Sequence, residues 1–272
     1  MFRQLWTALV CGLVAPIAPF ALGHQLWIEA PGRTAPQSNV PIVICFGHLG
    51  EQTPLAMLQS SVSKLSAVLH LPGKKTSPID CLVAEKGFMA EVKVSDIGVY
   101  QIDAKLEVGI LRRAVHDMRP GTRLIMLAKA VIQSGDDWET PPAIGHPIEI
   151  IPMSDITQPA PGDALRLKVL RDGQPVGGPQ VLVTLATTGP ESPNDSALTE
   201  HTWTIEGHPD PSGEIAFPLV AHGWHVASIS YFDDKPGVYQ GPLSFDGDFS
   251  HLKPGDSFQG TQYFVTLAFR VE

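Results

Sequence analysis

The chain has 272 residues, with 19 Lys and Arg against 28 Asp and Glu and a formal net charge of −9. This length accommodates two ordinary hydrophobic cores without a disulfide staple. The acidic balance excludes the electrostatic footprint of a protein that binds nucleic acid or anionic membrane, and it mildly favours cationic ligands.

Residues 1–23 read as a secretory signal. Arg3 is the only charge, an apolar stretch runs from Leu5 to Phe20, and Ala21-Leu22-Gly23 sets small residues at the two positions that signal peptidase needs small. Gly12, Pro16 and Pro19 interrupt the stretch, which argues against a retained membrane helix of about 20 apolar residues. No stable membrane insertion is therefore expected. Cys11 lies in mid-run behind the bulky Val10, a poor setting for a lipidated cysteine. Cleavage before His24 removes Arg3 and leaves a net charge of −10. A periplasmic location follows as the expectation.

Strand signals dominate what remains. Asn39 to Phe46, Ala67 to Leu71, Met89 to Val94 and Gly98 to Ala104 are β-rich runs, several with the alternation of a half-buried strand. Arg123 to Ile132 is apolar enough for a strand or a helix, and its neighbours and lack of caps favour a strand. Pro147 to Pro152 reads as a hinge strand into a second unit. There, Ala164 to Leu170, a turn at Arg171-Asp172-Gly173 and Gln180 to Leu185 look like the opening of an immunoglobulin-like domain. Asp210 to Phe217, Gly223 to Tyr231 and Gln262 to Val271 complete it. No long amphipathic helix is found. The expected fold is all-β, with two immunoglobulin-like β-sandwich domains at 24–151 and 152–272. Cys45 and Cys81 are an even pair in an oxidising compartment, and a disulfide and two buried thiols both stay open.

The histidines carry the chemistry. A terminal His24 presents its imidazole and an α-amine that titrates at about 7.7–8.0, a chelate for one metal ion. His48 stands between Gly47 and the Leu49-Gly50-Glu51 turn, where Glu51 offers a carboxylate. His222 and His225 flank Gly223-Trp224, and residues three apart on a strand face opposite sides, so at most one of them is expected to point into a site. His201 and His208 are weaker candidates, and His70, His116, His146 and His251 read as ordinary isolated histidines. Asp246-Gly247-Asp248 offers a candidate calcium site but lacks the full loop pattern. There is no zinc motif of the usual spacing, no Gly-x-Ser-x-Gly elbow, no phosphate loop and no dinucleotide fingerprint. A non-enzymatic protein is expected.

The segment His24-Gln25-Leu26-Trp27-Ile28-Glu29 directly after the signal, and Gly47-His48 after the first long strand run, resemble the hallmarks of a bacterial domain-of-unknown-function family. That family is described as the periplasmic component of nickel/cobalt uptake systems. Gly145-His146-Pro147-Ile148-Glu149-Ile150-Ile151-Pro152 is similar to its interdomain segment, and Leu170 to Pro175, Gly213 and Gly223-Trp224 to its second domain. The resemblance implies Ni²⁺ or Co²⁺ as the ion, with Cu²⁺ or Zn²⁺ as competitors. It implies His24 and His48 as ligands, and an inner-membrane transporter or outer-membrane receptor as partner. Two rivals stand beside it. One is a structural or carbohydrate-type binding module, which exposed Trp27, Trp138 or Trp203 would favour. The other is a copper protein whose terminal histidine faces a second one.

Overall fold

A computed structural model describes residues 24–49, 53–115, 118–188, 202–246 and 250–272. The protein is an all-β sandwich structure. Its strands of five residues or more are β1 (Gln25–Glu29), β2 (Ser38–Gly47), β3 (Leu65–Leu71), β4 (Gly87–Val94), β5 (Gly98–Leu111), β6 (Thr122–Ser134) and β7 (Ile148–Pro152). They continue with β8 (Ala164–Arg171), β9 (Val183–Thr188), β10 (Thr202–Gly207), β11 (Glu214–Pro218), β12 (Gly223–Asp233) and β13 (Gly260–Val271). Among the described residues the α-helix α1 (Leu55–Ser61) is a single short one.

One sheet organises the rest. It has 11 strands and runs β10-β9-β12-β13-β6-β5, then through two short strands, with β3 also paired to β5. Strand β6 is its hub. It pairs antiparallel with β5 and parallel with β13, so the C-terminal strand is stitched to the middle of the chain. The sequence of β6 is apolar on both faces because both are covered. Leu124, Met126, Ala128, Ala130 and Ile132 point into a first core, and Ile125, Leu127 and Val131 into a second. Such a strand reads as a continuous apolar run, which is why period alone left helix and strand undivided.

The first core is closed by a four-stranded sheet ordered β1-β2-β4 with Leu82–Ala84 at its edge. Leu26, Ile28, Ile42, Ile44, Phe88 and Val92 meet Tyr100, Ile102 and Leu106 across it. The second core is closed from the opposite face of the long sheet by β7, β8 and β11. There Ile148, Ile150, Leu165, Leu167 and Phe217 pack on Val183, Ala227, Val265 and Leu267. Two sandwiches thus share one sheet and use its two sides. The segment expected as a hinge, Pro147 to Pro152, forms β7 and pairs with β8 in register from Ile148↔Arg171 to Pro152↔Leu167.

Strand β1 was not recognised from the sequence. Its five residues alternate between two buried environments: Leu26 and Ile28 enter the first core, while Trp27 packs with Cys45, Val226 and Ala268. The Thr266 hydroxyl donates to the Leu26 carbonyl at 2.6 Å and locks β1 onto β13.

Candidate functional site

β1 and β2 are antiparallel, and their last pair at one end is Gln25↔Gly47. The next residues outward are His24 and His48. Leu26 and Phe46 are register partners and both enter the first core. His24 and His48 both stand just beyond the Gln25↔Gly47 pair, outside the two strands. Their ring centroids lie 4.8 Å apart at 68°, and the Phe46 ring is 5.5 Å from His24. His24 is exposed and His48 half-buried, with the buried Phe46 as an apolar floor.

Gly47 makes this placement possible. Its φ of 143° is a conformation that side chains oppose, and a Cβ there would collide with the Thr53 hydroxyl. That hydroxyl donates to the Phe46 carbonyl and holds the turn that carries His48. A shallow cavity beside it is lined by Thr53, Pro54, Leu55, Val83, Ala84 and Glu85. Imidazole suits Zn, Cu, Fe and Ni, so the pair has the right donors for a transition-metal ion. Among the described residues no group of three or more His, Cys, Asp or Glu side chains is placed to hold one. Glu51 lies outside the described residues.

His222 and His225 do not join this site. β12 begins at Gly223, between the two. His222 is exposed, whereas His225 is 1 % exposed and stacks on Phe269 at 5.4 Å. Its face of the strand is that of Ala227 and Ile229 in the second core, while Val226 on the other face meets Trp27. Of the two sequence candidates, the pleat turns His225 to the second-core side of the sheet, away from Trp27 and β1. Burial draws its pKa down, against the Gly223 carbonyl 3.1 Å from Nδ1, so the ring is neutral.

Three histidines read as isolated each face a carboxylate. Asp103 lies between two of them, with Oδ2 at 3.1 Å from His146 Nε2 and 3.8 Å from His70 Nε2. His251 Nε2 is 2.9 Å from Asp256. On β6, Lys129 meets Glu149 at 2.7 Å, and Glu149 also accepts from the amides of Ile144 and Gly145. With Gln101 Nε2 donating to the Pro142 carbonyl at 2.9 Å, the His146–Asp103 and Glu149 contacts fasten the segment between β6 and β7 to the long sheet. A signal was present in the sequence: Lys129 and Glu149 each stand inside an apolar run, and a charge in such a run demands a buried partner. His208 Nδ1 is 2.8 Å from the Val181 carbonyl. His116, His201 and residues 247–249 lie outside the described residues.

Cys45 and Cys81 are free thiols. Cys45 faces Trp27 and Val226 while Cys81 packs on the first core, so the two project from opposite sides of the β1-β2-β4 sheet. Burial and the nearby Glu29 carboxylate push the Cys45 thiol far above its ordinary range. Trp27 is 4 % exposed, which removes one of the three aromatic platforms that a carbohydrate-type module would use, whereas Trp138 is partly buried against the second core.

Fold and site together define an all-β protein of two sandwiches on a shared sheet, with a histidine pair at the end of its first strand. The chain belongs to the DUF4198 family, a domain of unknown function whose family model matches residues 21–233. Among solved structures it is similar to a DUF4785 family protein of Legionella pneumophila, at 6 % identity and a TM-score of 0.26, over 74 % of this chain and 51 % of that one. It is also similar to alpha-2-macroglobulin of E. coli in its native conformation, at 11 % identity and a TM-score of 0.25, over 90 % of this chain and 14 % of that one. The chain therefore spans about half the length of the first and a small part of the second. No curated protein matches it.

Proposed function

We propose that the protein is a periplasmic, non-catalytic binding protein for a transition-metal ion, Ni²⁺ or Co²⁺. It would work beside an inner-membrane metal transporter or an outer-membrane receptor. The observation that carries this reading is the 4.8 Å separation of the His24 and His48 rings. Two residues that the sequence separates meet at the strand end where signal cleavage would create a third nitrogen donor. The family resemblance of the mature start supplies the choice of Ni²⁺ or Co²⁺. Cu²⁺ binds such donors more tightly in the general order of affinities, so selection among metals would rest on geometry and availability.

The test uses the exported protein with an authentic His24 terminus, titrated with Ni²⁺, Co²⁺, Cu²⁺ and Zn²⁺ by calorimetry. A second form carries one extra residue ahead of His24, which keeps the imidazole and moves the amine. The expected result is binding by the authentic form, weakened at least tenfold in the extended form, a loss of about 1.4 kcal/mol or more. Equal, tight binding by both forms overturns the terminal chelate. No binding by either overturns the metal reading and leaves the paired sandwiches as a binding or structural module.

A further inference from the structure

We propose that the protein forms a two-fold dimer in which the edge strand Leu82–Ala84 pairs antiparallel with the same strand of a second copy, centred on Val83. The proposal is independent of any metal at His24 and His48. It stands on the side chains of that edge, the direction of its backbone groups and the charges at its ends.

Leu82–Ala84 closes the four-stranded sheet on the side away from β1, and among the described residues its strand partner is β4 alone. Proteins ordinarily blunt a sheet edge with lysine, proline or a covering element, because a bare edge is a template for another strand. This chain guards a second edge in that way. Lys75–Pro78, which borders β3 in the long sheet, is exposed throughout, with Lys74 ahead of it and Lys75 and Pro78 at its two ends. Leu82–Ala84 has no such guard. Leu82 is 76 % exposed, and its register partner Met89 is 44 % exposed beside it on the outer face. Next to the strand is open space, the cavity between Val83, Ala84 and Glu85 and the start of α1, where Leu55 is also exposed.

The backbone of this edge is directed outward at its middle residue. Glu85 and Lys86 form the turn, which closes on the pair Ala84↔Gly87. In a hairpin closed by a two-residue turn the first flanking pair is hydrogen-bonded and the bonding then alternates. Ala84 and Leu82 therefore turn their N–H and C=O groups toward β4, and Val83 turns its own away from it. An antiparallel strand centred on Val83 satisfies both of these groups at once.

The occupant that fits is a second copy, because the sequence is self-complementary about Val83. A half turn sets Val83 opposite Val83, Leu82 opposite Ala84 and Asp80 opposite Lys86. Asp80 and Lys86 are both exposed, and neither joins an ion pair among the described residues. The two-fold axis makes that opposite-charge pair twice, and cross-strand pairs of this kind are favourable where like charges are not. Leu82 is covered on the outer face by Ala84 and Leu82 of the second copy. The contact is small, and small interfaces are weak, so a dissociation constant of about 1–100 μM is expected.

The experiment is sedimentation equilibrium of the exported chain from about 1 to 300 μM, a range that spans such a constant, with far-ultraviolet circular dichroism of each variant as the check on folding. The expected result is a monomer–dimer equilibrium. Asp80→Lys alone and Lys86→Asp alone each set like charges together at two places and should weaken the dimer at least tenfold. The double variant restores opposite charges and should restore the dimer. Leu82→Lys should also weaken it at least tenfold, and this reads the edge even where a charge reversal fails to fold. A chain that stays monomeric over the whole range overturns the proposal and leaves the edge to a strand of another protein. A dimer indifferent to Leu82→Lys overturns it in favour of another surface. Single reversals that weaken the dimer without rescue by the double variant overturn the register centred on Val83.

Discussion

At the scale of single residues, the fold depends on ionisable groups held in one charge state. His225 is buried against Phe269 and its pKa is lowered by that burial. Burial alone would raise Glu149, but Lys129 at 2.7 Å and the amides of Ile144 and Gly145 outweigh it and hold the carboxyl below its usual range. Asp155 behaves likewise: burial raises it, and the Thr157 hydroxyl and amide together with Arg33 bring it below. The signs agree. A histidine whose folded pKa is depressed takes up a proton more readily when unfolded, so stability falls as the pH drops below about 6.5. A depressed carboxylate contributes stability above about pH 4 that is lost as the pH falls through its lower folded value. Urea midpoints measured from pH 7 to pH 3 should therefore decline in two stages, and His225→Gln should flatten the first stage alone. A midpoint that holds level down to pH 3, or a first stage unchanged in His225→Gln, would count against this assignment. None of this was visible in the sequence beyond the charges inside apolar runs, because Asp103, His70 and His146 are 33 to 76 residues apart along the chain and meet only through sheet register and the crossing segment.

At the scale of elements, the strand runs were legible where one face is wet and ambiguous where both are dry. Strand β4, with Val92 and Val94 buried between exposed Glu91 and Lys93, shows its period openly. β6 hides it, since both faces are covered, and β1 is too short to show a period at all. His24 and His48 stood out through local signals, the end of an apolar N-terminal run and a Gly-His pair, and the structure sets their rings 4.8 Å apart. The exclusion of His225 was not legible, since which face of β12 meets β1 is settled by packing of Val226 on Trp27. Gly47 links element to site, because its φ of 143° ends β2 and aims His48. Gly47→Ala should cost about 1–3 kcal/mol in backbone strain, and the clash with Thr53 should displace His48. Urea denaturation reads the first effect, and calorimetric metal titration reads the second as a several-fold weaker affinity. An Ala variant with wild-type stability and affinity would show that the turn does not constrain the histidine.

At the scale of the whole molecule, the sharing of β6 decides how the protein unfolds. Two sandwiches joined by a linker alone would lose their cores separately. Here a single strand supplies Ile132 to the first core and Val131 to the second, and removing it from either exposes both. The parallel pairing of β13 with β6 from Gly260↔Thr122 to Leu267↔Lys129 ties the C-terminal strand into the same sheet, and Trp27 of β1 packs on Val226 and Ala268 from the other side. Cooperativity follows from this geometry, since the energy of opening either sandwich includes breaking contacts of the other. Ile132→Ala and Val131→Ala each create a cavity in a close-packed core, and each should cost about 2–4 kcal/mol. Both variants should lower the midpoint of one common transition, seen alike by tryptophan fluorescence and by far-ultraviolet circular dichroism. Two resolved steps, with Ile132→Ala moving one and Val131→Ala the other, would show that the shared strand does not couple the cores. Coupling of this kind also reaches the histidine pair. His24 and His48 sit at the end of β1 and β2, and β1 is clamped between the first core and β13 by Leu26, Ile28 and the Thr266 hydroxyl. The register that brings the two rings together is therefore held by both halves of the chain, and a substitution at Ala268 or Val226, remote in sequence, bears on the site through Trp27.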